Sequence, residues 1–320
     1  MNASQERKTM RDLRIVFMGT PDFAVSSLAA LVDAGCNIVG VITAPDKPAG
    51  RGMKLTESAV KKFALEKGLN ILQPKKLKNP AFIDTLKALK ADLQVVVAFR
   101  MLPEIVWNMP GMGTINLHGS LLPQYRGAAP IHWAVINGEK ETGVSTFKLQ
   151  HIIDTGDILL QKSFPIGPDE TTGEVHDRMK VIGAALLIET VKGIAENSLK
   201  ETQQSTVAKE EELKHAPKLF TENCEVNWNQ EIEKIHNFIR GLSPFPGALS
   251  KLDDKILKIY RSKKEASIIQ ENPGTVLSDG KTFLKIAAID GYIHILDLQL
   301  EGKKRMITED FLRGYRLMNT

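Results

Sequence analysis

The sequence predicts an α/β protein with a largely parallel sheet, followed by a smaller and mostly antiparallel β domain. Three observations predict it. Over roughly the first 200 residues, short apolar runs alternate with helical patterns, the rhythm of a parallel sheet covered by helices on both faces. One run, LQVVVAF at 93–99, is continuously apolar, as in a strand buried on both faces. From about Asn197 the helical pattern gives way to short strands, many of them separated by turn pairs such as Asp253-Asp254, Asp279-Gly280 and Asp290-Gly291.

Taken in order, LRIVFM (13–18) reads as a strand, and 22–35 as a helix with Asp22 capping its start and Gly35 closing it. A strand at 37–43, a helix at 57–68 stopped by Gly68 and a short strand at 70–73 follow. The helix at 79–90 has a clear start signal, with Asn79 as N-cap and Pro80 in the first helical position. After 93–99 come the strand TINLH (114–118), a helix from about Pro130 to Asn137, and strands at 142–149 and 157–166. Thr171 and Glu174 form a capping box at the head of a long helix. The polar stretch 199–217 reads as a linker. Beyond it a helix at 231–241 leads into strands at 247–252, 255–261, 274–278, 282–288 and 292–300, the pattern of a small antiparallel sheet or barrel.

A chain of 320 residues suits two domains. With 42% hydrophobic and 25% charged residues it has the composition of a soluble globular protein, and no apolar run approaches a membrane span. The polar start, MNASQERKTMRDLR, is no secretory signal. The two cysteines, Cys36 and Cys224, are far apart and lack Cys or His neighbours at ligand spacing. That argues against a disulfide or a metal site and for the reducing cytoplasm. The net charge of +4 is modest, but its placement is uneven. Lys47, Arg51, Lys54, Lys61, Lys62, Lys67, Lys75, Lys76 and Lys78 face only Asp46, Glu57 and Glu66 within that span. Such a zone suits a polyanion, or equally a solvated helix face plus a loop.

The chemistry concentrates at 113–157. In a strand, Asn116 and His118 share one face, and they stand at the carboxyl end of a parallel strand, where ligands bind in open α/β sheets. An Asn amide donates to a developing oxyanion, and an imidazole moves protons near neutrality. Together they suit attack of an amine on a carbonyl, in which a tetrahedral oxyanion must be held. Asp154, in a Thr-Gly turn, is the preferred group to orient the imidazole, and Asp157 is the second choice.

The block NLHGSLLPQYRGAAPIHWAVINGEKETGVS (116–145), followed by DTGDIL (154–159), resembles the folate-dependent formyltransferases. IVFMGTPDFAVSSL, PDKPAGRGMKL and IRGLSPFPGA are similar to the branch that acts on methionyl-tRNA, and the resemblance runs from about Leu13 to the last residues. It implies a Rossmann-like formyltransferase domain over 1–198, a linker over 199–217 and an OB-like β-barrel over 218–320 that holds tRNA by its backbone. It also implies transfer of the formyl group of 10-formyltetrahydrofolate to the α-amino group of methionine on initiator tRNA, by a monomer without metal.

The same resemblance gives Asn116 the oxyanion. His118 assists it and manages protons, and Asp154 keeps His118 charged or oriented through a water. Ser120, Leu121, Leu122 and Pro123 form the folate contact, with Phe99, Arg100, Met101 and Leu102 as a second wall. Arg100 departs from the glycine common in the tRNA branch and is more like the glycinamide ribonucleotide branch. It is expected to meet the glutamate tail or benzoyl part of the folate. Arg51, with Lys47 and Lys54 on the same long loop, is placed at the acceptor end of the tRNA. Arg126 closes the same cleft, unless it serves a structural salt bridge.

Other readings have less behind them. An amino-sugar nucleotide or purine precursor as acceptor keeps the same catalytic residues but leaves the PAGRG loop and the C-terminal domain unexplained. A decayed RNA-binding protein predicts a broken Asn-His-Asp set, and all three residues are present. A nicotinamide enzyme lacks its glycine fingerprint, since no G-x-G-x-x-G follows Gly19. The remaining histidines and the tryptophans read as packing or surface residues, and Cys36 as buried and inert.

Overall fold

The computed structural model describes residues 9–49 and 54–317, so Arg51 lies outside the described residues. The chain divides into two compact units. One takes the chain up to Arg126 with Gly143–Ser163 and Asp177–Lys214; the other takes Gly127–Thr142, Phe164–His176 and the chain from His215. Two segments within the span expected for the catalytic domain therefore group with the second unit. The stretch expected as a linker packs, up to Lys214, with the first.

In the first unit, β1 (Arg14–Gly19) leads through α1 (Asp22–Asp33) to β2 (Asn37–Ile42). A hairpin of β3 (Lys47–Ala49) and β4 (Lys54–Thr56) precedes α2 (Ala59–Glu66) and β5 (Ile71–Leu72). Then come α3 (Pro80–Ala88), β6 (Leu93–Val97), α4 (Glu104–Trp107) and β7 (Thr114–His118). After them run β8 (Arg126–Gly127), α5 (Pro130–Ile136), β9 (Glu141–Lys148), β10 (Ile158–Pro165) and α6 (Thr172–Ala195), of which α5 and the first residues of α6 group with the second unit. The sheet order is β10-β9-β7-β6-β1-β2-β5. β5, β2, β1, β6 and β7 are parallel, and β9 runs antiparallel to β7. Because β2 and β6 flank β1 on opposite sides, the carboxyl ends of β1 and β6 form the switch-point crevice of an open α/β sheet.

Local chemistry explains most of these elements. Every residue of β6 is buried. Its one polar member, Gln94, accepts a hydrogen bond from the Thr114 hydroxyl at 3.0 Å. Asn79 Oδ1 accepts the Ala81 amide at 2.9 Å and starts α3. The Thr171–Glu174 box closes in both directions, at 2.8 Å and 3.3 Å. At α1 the structure differs from expectation: Pro21 holds the cap position, and Asp22 sits inside the first turn, paired with Lys180 at 2.8 Å. An acid there still complements the helix dipole. The span 44–57 is no simple loop either, because Lys47 pairs with Thr56 in the β3–β4 ladder. Its prolines and glycines hide the strand alternation. The single turn of α4 escapes pattern reading for its shortness.

The second unit holds β11 (His215–Ala216), α7 (Ile232–Gly241), β12 (Ala248–Leu252), β13 (Lys255–Ala266) and β14 (Val276–Ser278). β15 (Leu284–Ala287), β16 (Gly291–Leu300), β17 (Met306–Ile307) and α8 (Thr308–Arg313) complete it. An antiparallel half-barrel in the order β12-β13-β16-β15-β14, with β17 against β16, packs its inner face on α7 and α8. Ile232, Ile235 and Ile239 recur at helical spacing and meet Leu257, Ile259, Ile293 and Leu298 in that core.

The other face of α7 is buried too, and it is polar. Arg240 donates to the Glu170 carbonyl at 2.9 Å and to Asn237 Oδ1 at 2.8 Å. His236 binds Ser262 Oγ through Nδ1 at 2.9 Å, and its Nε2 lies 3.1 Å from the Asp169 carboxylate without hydrogen-bond geometry. Burial holds the His236 imidazole below its ordinary pKa; Lys264 and Arg240 add to the shift and Asp169 opposes it. Below the unfolded value of about 6.5, the unfolded chain takes up a proton that the folded His236 refuses. The contribution is therefore complete above that value and lost as pH falls. His236→Gln should flatten the loss of stability between about pH 7.5 and about pH 5.5. Urea midpoints at the two pH values test this, and an unchanged slope would remove His236 as its source.

Candidate active site

β7 delivers Asn116 and His118 to one face, as the alternation requires, with Ile115 and Leu117 buried on the other. Asn116 is half-buried and stands beside Val96 in the parallel pairing of β7 with β6. Its amide makes no hydrogen bond among the described residues, so both its donors are open to a ligand. His118 is buried, and its Nε2 lies 2.9 Å from the Tyr125 carbonyl oxygen. A carbonyl only accepts, so Nε2 carries the hydrogen. Nδ1 then faces Asp154 Oδ2 at 3.9 Å, close enough for charge attraction and too far for a direct hydrogen bond. The edge of the His118 ring meets Phe147, with centroids 6.5 Å apart.

Asp154 occupies the left-handed region at φ +55°. Two residues on, a Cβ on Gly156 would stand 1.6 Å from the Lys148 carbonyl oxygen, so only glycine lets the loop lie this close to β9. The loop is clamped from the stretch that reads as linker. Gln204 Nε2 donates to the Asp154 and Gly156 carbonyls, both at 2.8 Å. Its Oε1 accepts Arg126 Nε at 3.0 Å, and Arg126 also reaches Glu210 at 3.3 Å. Arg126 is thus held structurally, its salt bridge being the alternative left open above. Gln204 was missed because a lone Gln in a polar stretch carries no sequence signal.

The residues expected to meet folate divide by what their side chains touch. Ser120 and Leu122 are buried. Ser120 Oγ donates to the Gln124 carbonyl at 2.6 Å, and Leu122 packs with Phe147 and Ile158. The segment 120–123 is braced by Ser145 Oγ, which donates to the Ser120 carbonyl at 2.6 Å and accepts the Leu122 amide at 3.0 Å. Gln161 adds bonds to Leu122 O at 2.9 Å and Ser145 Oγ at 2.7 Å. Pro123 is buried as well, which leaves Leu121 half-buried. In the second wall, Leu102 belongs to the sheet core and Phe99 packs against it, while Met101 is 74% exposed. Arg100 donates to the Pro74 carbonyl and, at 3.1 Å, to the Lys75 carbonyl. Opposite this wall, His151 Nε2 lies 3.4 Å from Glu104 and edge-on to Trp107, which seats the 151–155 loop against α4. Ile105 on α4 and Ile152 and Ile153 in the loop that carries Asp154 are exposed, an apolar lip. Of the basic residues expected on the 44–57 segment, Lys47 is exposed on β3 and Lys54 lies on β4.

The family model described as "Formyl transferase" matches residues 13–191, and "Formyl transferase, C-terminal domain" matches 218–316. The chain is 54% identical to the methionyl-tRNA formyltransferase of Bacteroides thetaiotaomicron over 311 residues, 96% of this chain and 97% of that one. It is 55% identical to the methionyl-tRNA formyltransferase of Phocaeicola vulgatus over 313 residues, with the same two coverages. Among solved structures, WlaRD, a sugar 3N-formyl transferase determined with dTDP and 5-N-formyl-THF, aligns with a TM-score of 0.67 at 21% identity, over 91% of this chain and 99% of that chain. That last likeness is one of fold.

Gln204→Ala removes the bonds to two loop carbonyls and to Arg126. Each group left buried and unpaired costs about 1–3 kcal/mol. A lower Tm should accompany a kcat reduced roughly ten- to hundredfold, because the Asp154 loop loses its register. A variant with reduced Tm and unaltered kcat would confine Gln204 to stability.

Proposed function

This chain belongs to the formyl transferase family along both matched segments, and from that membership we infer that it passes the formyl group of 10-formyltetrahydrofolate to the α-amino group of methionyl initiator tRNA. The observation that carries the reading is the open Asn116 amide, set on the same strand face as a His118 whose Nδ1 is directed at Asp154. The methionyl nitrogen attacks the formyl carbon, and a C–N bond forms as the carbonyl oxygen gains negative charge. Asn116 donates to that oxygen. His118 moves the proton lost by the attacking nitrogen toward the departing N10, whose bond to the formyl carbon breaks. Tetrahydrofolate and N-formylmethionyl-tRNA leave.

Asp154 acts by holding His118 in one orientation. The exposed Met101 with the isoleucine lip suits a flat heteroaromatic pterin, and Ser145 and Gln161 hold the 120–123 segment rigid for it. Phe99 and Leu102 support that wall from the core side. Segment 1–198 carries the chemistry, and 218–320 holds the tRNA with the aid of Arg51, Lys47 and Lys54. The protein works as a cytoplasmic monomer, and no helix among the described residues is long and apolar enough to cross a membrane.

The test is formyl transfer to methionyl initiator tRNA, methionyl elongator tRNA and amino-sugar nucleotides supplied together. Preference for the initiator supports the reading, and transfer to the sugar alone overturns the RNA assignment. Asn116→Ala should lower kcat by roughly 10²–10³-fold with the KM for folate little altered. A near-normal kcat would take the oxyanion role away from Asn116. His118→Ala should lose at least as much, with folate still bound in a direct titration.

A further inference from the structure

A cavity of about 540 Å³ opens in the first unit and is lined by Thr20, Ala44, Pro45, Lys47, Lys75, Ala98 and Arg100. It sits past the carboxyl ends of β1, β2 and β6, in the crevice where the sheet changes direction. Three of its seven lining residues are cations and none is an acid. Nothing nearby in sequence neutralises them. Asp46, between Pro45 and Lys47, is committed to Lys61 at 2.5 Å and to Gln73 at 2.8 Å. The side chains of Lys47 and Lys75 make no ion pair or hydrogen bond among the described residues, and Arg100 hydrogen-bonds only uncharged carbonyl oxygens.

Like charges converging on one cavity repel unless an anion joins them. The Arg100 bonds to Pro74 and Lys75 also tie the segment after β5 to the segment after β6, so the cavity wall is set before a ligand arrives. Two further unpaired and exposed lysines, Lys76 and Lys78, continue the cationic strip away from the cavity.

We propose that this cavity binds the phosphodiester backbone at the single-stranded acceptor end of the RNA, with Arg100 and Lys75 as its phosphate contacts and Lys47 at its rim. This rests on the reading of the acceptor as a tRNA. A strip of cations leading out of a cavity matches a chain with one charge per nucleotide better than the terminal carboxylates of a folate. The arrangement also separates the two substrates. Folate meets Met101 and the isoleucine lip, while the RNA approaches over β1 and β2, so that the two reach Asn116 on β7 by different side chains of the 99–102 segment. Arg100 thereby moves from the folate, where the sequence alone placed it, to the RNA. Lys75 gains a role that the sequence alone did not give it.

The experiment compares wild type with Lys75→Ala, Arg100→Ala and Arg100→Lys, measuring KM for methionyl initiator tRNA and for 10-formyltetrahydrofolate at several salt concentrations. Each alanine variant should raise the tRNA KM roughly fivefold or more at low salt. Each should also reduce the slope of its logarithm against log salt by about 0.7, the share of one single-strand phosphate. The folate KM should hold. Arg100→Lys keeps the charge and should recover most of the slope.

A raised folate KM with an unchanged tRNA slope would overturn the proposal and give the cavity to the folate's glutamate carboxylates. Unchanged values for both would overturn it as well. Thermal unfolding of each variant shows whether a loss reflects folding, and Lys75→Ala, at an exposed and unpaired position, keeps the test decisive if Arg100→Ala unfolds. Wild type that formylates a sugar nucleotide and no tRNA would instead defeat the premise, a result distinct from the others.

Discussion

The hydrogen bond from His118 Nε2 to the Tyr125 carbonyl decides which ring nitrogen is left for chemistry, and much of the site is arranged around that choice. With Nε2 fixed as a donor, Nδ1 is the nitrogen turned toward Asp154, the one left for the proposed chemistry. The bond is only as good as the position of Tyr125. That residue has φ +59° and donates its amide to the Lys214 carbonyl at 2.6 Å. The Gln124 side chain ties the same two stretches again, through Glu212 and Lys214. The far end of the polar 199–217 segment therefore fixes the histidine from one side. Gln204, nearer its start, fixes the aspartate from the other. A stretch without an apolar stripe contributes no core, yet it holds His118 and Asp154 in register.

That division explains what was legible in the sequence. Buried strands announce themselves by composition, and helix starts by their caps, so β6, β7, α3 and α6 stand where the pattern puts them. The Asn116–His118 alternation follows from the period of a strand alone. Gln204, Gln161 and Ser145 act through hydrogen bonds to backbone atoms distant in sequence, and neither period nor motif marks such a bond. Buried polar groups of this kind must be satisfied, so each becomes visible only when the fold shows what lies opposite it. The folate segment makes the same point from the other direction. Ser120, Leu122 and Pro123 can be read as a ligand wall, but all three are buried, and Leu121 alone of the segment is half-buried.

Arg100 and Arg126 illustrate how little a charge says without its surroundings. Both stand in the same part of the sequence, at the ends of adjacent loops, and both invite assignment to a ligand. Arg126 is largely buried and bound by Gln204 and Glu210, which leaves little of its charge for RNA. Arg100 is exposed and bound only by carbonyl dipoles, which orient a guanidinium without cancelling it. With five N–H donors in a fixed fork, it keeps others free for an anion.

The second unit carries the opposite lesson in charge. Its composition is close to neutral, and the structure shows where much of that balance resides. Arg261 pairs with Glu174 at 2.6 Å, Lys285 with Glu265 at 2.9 Å, Arg305 with Asp297 at 2.5 Å, and Lys264 with Glu233. Exposed pairs of this kind add only about 0–1 kcal/mol each to stability. Their larger effect is to withdraw cations from the set that a phosphate backbone can reach. Lys255, Lys263 and Lys304 are among the cations of this unit with no acidic partner among the described residues, and under the proposed function they attract RNA by a diffuse field that salt screens. The unpaired cations of the first unit are of another kind, because Lys47, Lys75 and Arg100 line one cavity and Arg100 is anchored by backbone carbonyls. On the proposed reading, attraction to the RNA is shared along the chain, whereas placement of its acceptor end depends on the few charges that the fold holds still.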